Sequence, residues 1–577
     1  QSDTSTTAAA VIPSGSLTAN GSPVASKFNP MDIGIDFVQG KASGYCVLNS
    51  RDQKSGTIVE QLKYNNTSTS NVSGTLAMPR NSGKYYYEVY CVSGTGGVVG
   101  IGAFSCSNIA NLADMKKIYG YSPNGKSYEN DTGTTYGATW GTGDTVSILF
   151  DTDTRQITFW KNGSSQGLAD TVDDGYDYFP QVHCNNMDLI FNFGQNPFKF
   201  QPPAGYKTIN TENLPVSIVR PDDYVGVTTY AGNGGTNRNI SDLNFAPDFV
   251  WVKRRDATGY HILTNSVIGA SNYLVSNTAD PNSTGGSQLI NGFNPDGFKI
   301  GNENAVNNGS GHYVGWCWKA GGNKNTFNVD DVGYASFAAS GTPSGNTTPT
   351  GTSINTKAGF SIIRFTPTSA SGTATVPHGL GKVPRFIMMK SLTNSYNWDV
   401  YQTHATAGGS GRLILNSNNA PDTSNNPFSQ VAPTTDVFTF NNAFYDDASD
   451  SVLCYCWADV PGLQKFGFYY GNGNADGPFV NLGFRPSIIW YKDITSGGYW
   501  NIRDDRRTPI NGTAQELYTA TSEAENTHNN RDIDFYSNGF KILNAHDAIN
   551  NSSRQYIYMC WSDAAQYNLY GGQSNAR

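Results

Sequence analysis

Charge is what this chain has least of. Only 15 % of its 577 residues are Asp, Glu, Lys or Arg, against about 25 % in ordinary soluble domains. The net charge is −8 and no basic run occurs, so the electrostatic footprint of a nucleic-acid binder is missing. Long runs of Ala, Leu, Glu and Lys, the stuff of helices, are also missing. No apolar stretch approaches the roughly 20 residues of a membrane span. Gln1-Ser2-Asp3-Thr4 has no Met, no basic region and no apolar core. No secretory signal is therefore visible, and the N-terminus is expected to be processed or truncated. The seven histidines include no H-x-x-x-H and no H-E-x-x-H, the eight cysteines no C-x-x-C, and no G-x-x-x-x-G-K-[ST] occurs. Zinc sites and phosphate cradles thus have no sequence support, and no cofactor is expected.

What the chain does have is aromatic residues (12 %), 63 glycines and much Ser, Thr and Asn. This is the composition of short strands joined by many turns. One phrase is written three times: Pro247-Asp248-Phe249-Val250-Trp251-Val252-Lys253, Pro384-Arg385-Phe386-Ile387-Met388-Met389-Lys390 and Pro486-Ser487-Ile488-Ile489-Trp490-Tyr491-Lys492. Each has a partner downstream, Cys317-Trp318, Cys456-Trp457 and Cys560-Trp561, at Lys-to-Cys spacings of 64, 66 and 68 residues. Leu274, Leu413 and Leu517 each precede their cysteine by 43 residues, and Phe298, Phe438 and Phe540 by 19, 18 and 20. Four landmarks at near-constant spacing indicate three homologous units of about one hundred residues.

Each phrase reads as a strand apolar on both faces, buried on both sides or packed across a subunit contact. Its Pro marks the strand's start, because Pro cannot donate to a ladder. The three matched cysteines are expected to be buried, reduced and apolar in character, in a chain made in a reducing cytoplasm.

The expected organisation is a flexible arm over residues 1–27, a first domain over 28–214, and repeats over 222–320, 359–460 and 464–577. A Gly/Ser/Thr/Asn-rich segment, 321–358, accounts for the longer first interval and reads as a linker or as a strap lying on a neighbour. In the first domain Tyr85-Tyr86-Tyr87-Glu88-Val89-Tyr90 reads as a strand with Val98-Val99-Gly100-Ile101-Gly102 as its neighbour. Asp144 to Phe150 and Gln156 to Trp160 follow, with Lys161-Asn162-Gly163 as a tight turn.

The run Gly143-Asp144-Thr145-Val146 through Phe159-Trp160-Lys161-Asn162-Gly163, then Tyr178-Phe179-Pro180 and Phe191-Asn192-Phe193-Gly194, resembles a SPRY domain. Gly83-Lys84-Tyr85-Tyr86-Tyr87-Glu88 and Tyr119-Gly120-Tyr121 fit the same family. The resemblance, over residues 80–207, implies a bent two-sheet sandwich that binds ligands through loops at one edge, without catalysis. Loop residues Tyr121, Tyr128, Tyr136 and Trp140 are candidate ligand contacts. The fold class expected for the whole chain is all-β: a SPRY-like β-sandwich followed by three homologous β-sandwich-type repeats.

The whole layout, closing with Leu569-Tyr570-Gly571-Gly572-Gln573-Ser574-Asn575-Ala576-Arg577, resembles virion proteins of tailed phages. That resemblance implies a tail fibre or receptor-binding component on the particle surface, not an enzyme. Its partners would be other virion proteins and a host-surface glycan or receptor, with no nucleic acid and no membrane insertion, in a homo-trimer. The alternatives are a capsid decoration or head-fibre protein and a tailspike-type depolymerase. Gly572-Gln573-Ser574-Asn575 resembles the nucleophile block of some Ser-dependent esterases, but that chemistry needs a base and a carboxylate within reach, and the Ser stands three residues from the end. Asp446-Asp447 and Asp504-Asp505 read as solvated turns rather than as a glycosidase pair. The run Arg503-Asp504-Asp505-Arg506-Arg507 next to Trp500 is the densest charged patch, either a surface ion-pair cluster or a sugar or subunit contact to which Trp500, Arg503 and Arg506 would contribute.

Overall fold

The computed structural model describes residues 44–105, 117–215, 218–367, 372–406, 409–445, 450–511, 514–528 and 530–564. The arm at 1–27, Cys106, Asp446-Asp447 and Gly572-Gln573-Ser574-Asn575 lie outside them. The described residues are all-β, and their only α-helices are the single turns Asn304–Asn307 and Asp547–Asn550. No helix among them is long and apolar enough to cross a membrane. The chain divides into two compact units. One runs to Val216, and the other takes mainly Ser217–Pro478 and Leu482–Gln566.

The first unit is a sandwich of two antiparallel sheets. One runs, in spatial order, Leu48–Gln53, Ser70–Gly74, Phe179–Asn185, Gly96–Gly102, Ile118–Tyr121, Lys126–Glu129 and Thr132–Thr135. The other runs Ser164–Thr171, Gln156–Lys161, Thr145–Asp151, Lys84–Ser93, Asp188–Asn192, Lys63–Asn65 and Thr57–Val59, with Tyr206–Lys207 parallel to Lys84–Ser93. Alternation places Tyr85, Tyr87 and Val89 in the core with Ile101, Ile148, Phe159 and Val182. Tyr86 and Glu88 face the other way. Tyr86 donates to Glu88 at 2.8 Å, and Glu88 accepts the backbone N–H groups of Lys199 and Phe200 at 2.8 and 2.9 Å. The segment near residue 200 therefore covers that face. Val98-Val99-Gly100-Ile101-Gly102 is a strand, but it does not neighbour Tyr85–Tyr90. It pairs with Phe179–Asn185 in the opposite sheet. The crossing is made at Gly94, at φ +100°, where a Cβ would stand 2.3 Å from the Asn186 carbonyl oxygen.

In the second unit the same sheet is built three times. The first segment orders Val225–Ala231, His312–Trp318, Phe249–Arg254, His261–Asn265, Asn272–Val275 and Ser283–Thr284. In the second the matching strands are Phe360–Phe365, Val452–Ala458, Pro384–Ser391, Asp399–Gln402 and Leu413–Ile414. In the third they are Gln464–Tyr470, Gln555–Trp561, Ile488–Asp493, Asn501–Asp504, Ala514–Tyr518 and Asn526–His528. The registers match as well: Phe249 stands opposite Trp318, Phe386 opposite Trp457 and Ile488 opposite Trp561. A small second sheet packs on each, such as Arg238–Ile240, Gly297–Ile300 and Ile290–Asn294 in the first segment and Thr373–Pro377 with Val437–Asn441 in the second. Cys317, Cys456 and Cys560 are buried free thiols within these layers.

Residues 321–358 are not a bare linker. Phe327–Val329, Val332–Tyr334 and Gly351–Asn355 are strands that extend the edge of the second segment's main sheet.

The opposite face of each main sheet turns inward to a common axis. Trp318, Trp457 and Trp561, equivalent in the three segments, form a triangle with ring centroids 6.2, 6.0 and 5.5 Å apart and planes at about 70°, namely 71°, 70° and 70°. Edge-to-face packing of this kind suits the aromatic quadrupole. The three segments thus make one body with internal three-fold pseudosymmetry, rather than three separate sandwiches on a string. The contacts are cyclic. Asn265 donates to Tyr455 Oη at 2.8 Å, and its equivalent Gln402 donates to the Gly467 carbonyl at 3.2 Å. The third equivalent, Asp504, accepts from Trp316 Nε1 at 3.0 Å. A head-to-tail interface of this type closes into a ring when the rotation fits.

Candidate recognition site

The loop end of the first unit carries the aromatic candidates. Tyr121 closes Ile118–Tyr121 and is buried. Its ring meets Tyr136 edge-to-face at 5.3 Å and lies 5.5 Å from Phe159 and 6.2 Å from Trp140. Its hydroxyl donates to the Ala138 carbonyl. Tyr136, half-buried, donates to the Gly167 carbonyl at 2.5 Å and accepts the Phe159 N–H at 3.2 Å. Burial, against the help of the Phe159 N–H, pushes its phenol up to about 12. Trp140 is buried, and its indole N–H has no partner. Three of the four candidates are therefore packing elements that hold the loops. Tyr128, on Lys126–Glu129, remains at the surface, half-exposed and 3.4 Å from Asn124 Nδ2.

Residues the sequence reading did not single out make this end rigid. Gly125, at φ +83°, has its carbonyl accept the N–H groups of Tyr136 and Gly137 at 3.0 and 2.9 Å. A Cβ on it would stand 2.6 Å from the Gly137 carbonyl oxygen. Asp144 accepts from Asn162 Nδ2 at 2.7 Å and from the Gly141 N–H at 2.9 Å, with Lys161 at 3.3 Å. Burial works against its ionisation, but these donors prevail and hold its carboxyl below the ordinary range. Gln166 accepts the Ala138 N–H at 2.8 Å. The legible signal was Asn162-Gly163, read only as a turn. Thr132–Thr135, the outermost strand here, pairs on one side with Lys126–Glu129 and is the edge of its sheet among the described residues.

The second candidate patch does not form. Trp500 is fully buried, and its indole N–H donates to the Ile414 carbonyl of the second segment at 2.9 Å. Its equivalent Trp398 donates to the Val275 carbonyl of the first segment, also at 2.9 Å. Arg503, three residues on, points to the opposite face of the strand. It is buried against Glu516 at 2.6 Å. Glu516 also accepts from Tyr491 and Arg531. Burial opposes its charge, yet Arg503 and these donors keep it below the ordinary glutamate range. Arg506, half-exposed in a turn, stands apart, 3.8 Å from Asp563.

The lysines that end the three phrases are all buried and hydrogen-bonded to main-chain carbonyls. Lys253 donates to Arg254 at 2.6 Å, Lys390 to Tyr396 and Ala279 at 2.8 and 3.1 Å, and Lys492 to Gly498. Desolvation lowers them to about 8, about 8 and about 7. Among the described residues no three His, Cys, Asp or Glu side chains gather as a metal site.

The two-sheet fold with a loop-bearing end defines a SPRY-type sandwich, and the SPRY domain family matches residues 84–196. The chain belongs to the DUF7483 family, described as a domain of unknown function, whose pattern matches residues 220–565. Over the N-terminal region it is similar to the ATP-dependent RNA helicase DDX1 of Xenopus laevis, 32 % identical over 133 residues covering 22 % of this chain and 18 % of that protein. It is likewise similar to the ATP-dependent RNA helicase Ddx1 of Drosophila melanogaster, at 28 % over 130 residues, 22 % of this chain and 18 % of that one. The chain thus spans under a fifth of the length of these curated relatives. Solved structures that match include the SPRY domain of human HERC1, at 17 % identity, 25 % of this chain, 96 % of that one and a TM-score of 0.23. A human SPRY domain matches at 20 %, with 25 % and 98 % covered and a TM-score of 0.20.

These relatives overturn the expected phage tail-fibre role and virion location. They are named as ATP-dependent RNA helicases of two animals, not as particle components. The expectation rested on the order of domains along the chain, and a sandwich followed by β-repeats is an arrangement many functions can share.

Proposed function

We propose that this chain is a non-catalytic recognition protein whose SPRY sandwich holds a partner polypeptide at the loop end around Tyr128. The observation that carries this reading is the outer strand Thr132–Thr135, which among the described residues is a sheet edge beside Tyr128, on a loop system braced by Gly125, Asp144 and Gln166. An open sheet edge accepts an extended peptide as an added strand, and a neighbouring aromatic pocket selects its side chains. The helicase activity named for the relatives is not carried over. The similarity covers the sandwich alone, and this sequence holds no G-x-x-x-x-G-K-[ST].

The test is to pan the whole chain against a random peptide library and a glycan array. Enriched peptides should bind the Tyr128→Ala variant at least tenfold more weakly, with an unchanged circular dichroism spectrum. Retention of glycans alone, or peptides indifferent to Tyr128→Ala and to a Pro placed at Thr134, would refute the assignment.

A further inference from the structure

The three seams of the ring are equivalent in backbone but not in chemistry. At the seam of the second segment with the first, the anchoring indole is Trp398, and at that of the third with the second it is Trp500. The equivalent position at the remaining seam, between the first and third segments, is His261. It is also the one seam whose two sides are not consecutive in the chain. His261 is fully buried. Its Nδ1 accepts from Trp251 Nε1 at 2.9 Å, so the neutral ring carries its proton on Nε2. Nε2 is buried without a partner, and the carbonyl groups of Tyr518 and Thr521 approach the ring without completing a hydrogen bond to it.

The surroundings forbid a second proton. On its own sheet His261 faces Trp251 and Lys253, and from across the seam the charge of Arg507, which lies over the Trp316 ring, also acts on it. Further out, Arg255 grips Glu525 at 2.8 and 3.0 Å, and Arg507 reaches Glu525 at 3.1 Å and Asp504 at 2.6 Å. Arg254 and Asp256 pair with each other at 2.8 Å at the near edge. A proton on Nδ1 would set a donor against the Trp251 donor and place a buried cation beside Lys253 and Arg507.

We infer that His261 is a proton-sensitive latch, and that acidification opens the ring at the seam between its first and third segments. Opening would uncover Trp251, Trp316 and Trp490, an aromatic surface now buried at the axis. Burial, then the charge of Lys253, holds His261 well below its ordinary value. The closed state therefore binds fewer protons than the open one. Closure is favoured above about pH 6.5, the value for an exposed histidine, and is lost as pH falls below it, by up to about tenfold per pH unit.

The experiment is hydrogen exchange on the full chain between pH 7.5 and 5, read as protection factors for 261–265 and 514–518. Protection should fall about tenfold per pH unit below about 6.5, while 399–402 at the neighbouring seam stays protected, and an apolar dye should brighten in parallel. Other buried histidines, such as His378, titrate as well, so variants isolate the latch. His261→Trp should abolish the response, and Trp398→His should add a second response at the seam between the first and second segments. Protection at 261–265 that is independent of pH would overturn the proposal. So would a response that survives His261→Trp, or a Trp398→His chain that responds only where the parent does. If His261→Trp fails to fold, His261→Phe and the Trp398→His arm decide.

Discussion

The first and third segments share strand order and register, yet their interiors differ in kind. Between its two sheets the first holds Val252, Thr264 and Tyr273, within a core of Val250, Ile262, Phe298 and Ile300. At the same three positions the third holds Tyr491, Arg503 and Glu516, a buried ionic cluster. The axis faces, in contrast, keep their aromatic character, Trp251 with Trp318 in one and Trp490 with Trp561 in the other. The ring is therefore specified at its axis, where each segment must fit two others. The interior of a segment answers only to itself and tolerates either solution.

That comparison breaks most visibly at Glu516. Its loss in Glu516→Ala strands Arg503 in the interior and should cost about 3–5 kcal/mol, the usual penalty for half of a buried pair. Replacing the cluster as a set with the first segment's residues (Tyr491→Val, Arg503→Thr and Glu516→Tyr) should cost less than the single change. Urea unfolding of both chains checks this, and the reverse order would show that the cluster is a requirement of the third segment.

A second test uses the lysines, which the segments share. With a folded value near 7 against about 10.4 unfolded, Lys492 is neutral in the native chain and charged in the unfolded one throughout that window. The unfolded state binds the extra proton, so this residue lends stability as pH rises and withdraws it as pH falls toward 7. Lys492→Met should thus gain on the parent between pH 9.5 and 7.5, by up to about 1.4 kcal/mol per pH unit. The thiols and phenols titrate in both chains and cancel in the difference. Lys253 and Lys390 should show the same sign over a narrower span, and a flat difference would mean that these amines stay charged.

The smallest effect expected is at the indole anchors. Trp500→Phe and Trp398→Phe keep most of the packing but remove one buried indole hydrogen bond, which should cost about 0.5–1.5 kcal/mol each. Similar losses in thermal unfolding would sharpen the equivalence of those two seams.

Much of this was legible beforehand, in a physically selective way. The repeated phrase and its Cys-Trp partner showed through because their spacing survives whatever lies between. The turn at Asn162-Gly163 announced itself by its backbone demand. The sheet change at Gly94 did not, because a two-residue link between strands reads as a hairpin whether the chain stays in its sheet or crosses. Trp500 and Arg503 looked like one patch because they are close in sequence. On a strand three residues' separation means opposite faces, one given to a neighbouring segment and one to a private core. The strands at 327–329 and 332–334 showed only as an extended strap, with Phe327-Asn328-Val329 as its signal, because the Gly, Ser and Thr around them equally suggested a tether.

The strand Gln555–Trp561 occupies an inner place in its sheet, with Gln464–Tyr470 on one side and Ile488–Asp493 on the other. During synthesis, then, the third segment waits with Gln464–Tyr470 unpaired and Ile488–Asp493 paired on one side only, with Asn501–Asp504, until the ribosome has released residue 561, and Trp561 is the last of the three axial indoles to arrive. A message cut short before that codon would yield a polypeptide with two assembled lobes and a third that cannot dock, a ready client for chaperones and quality-control proteases.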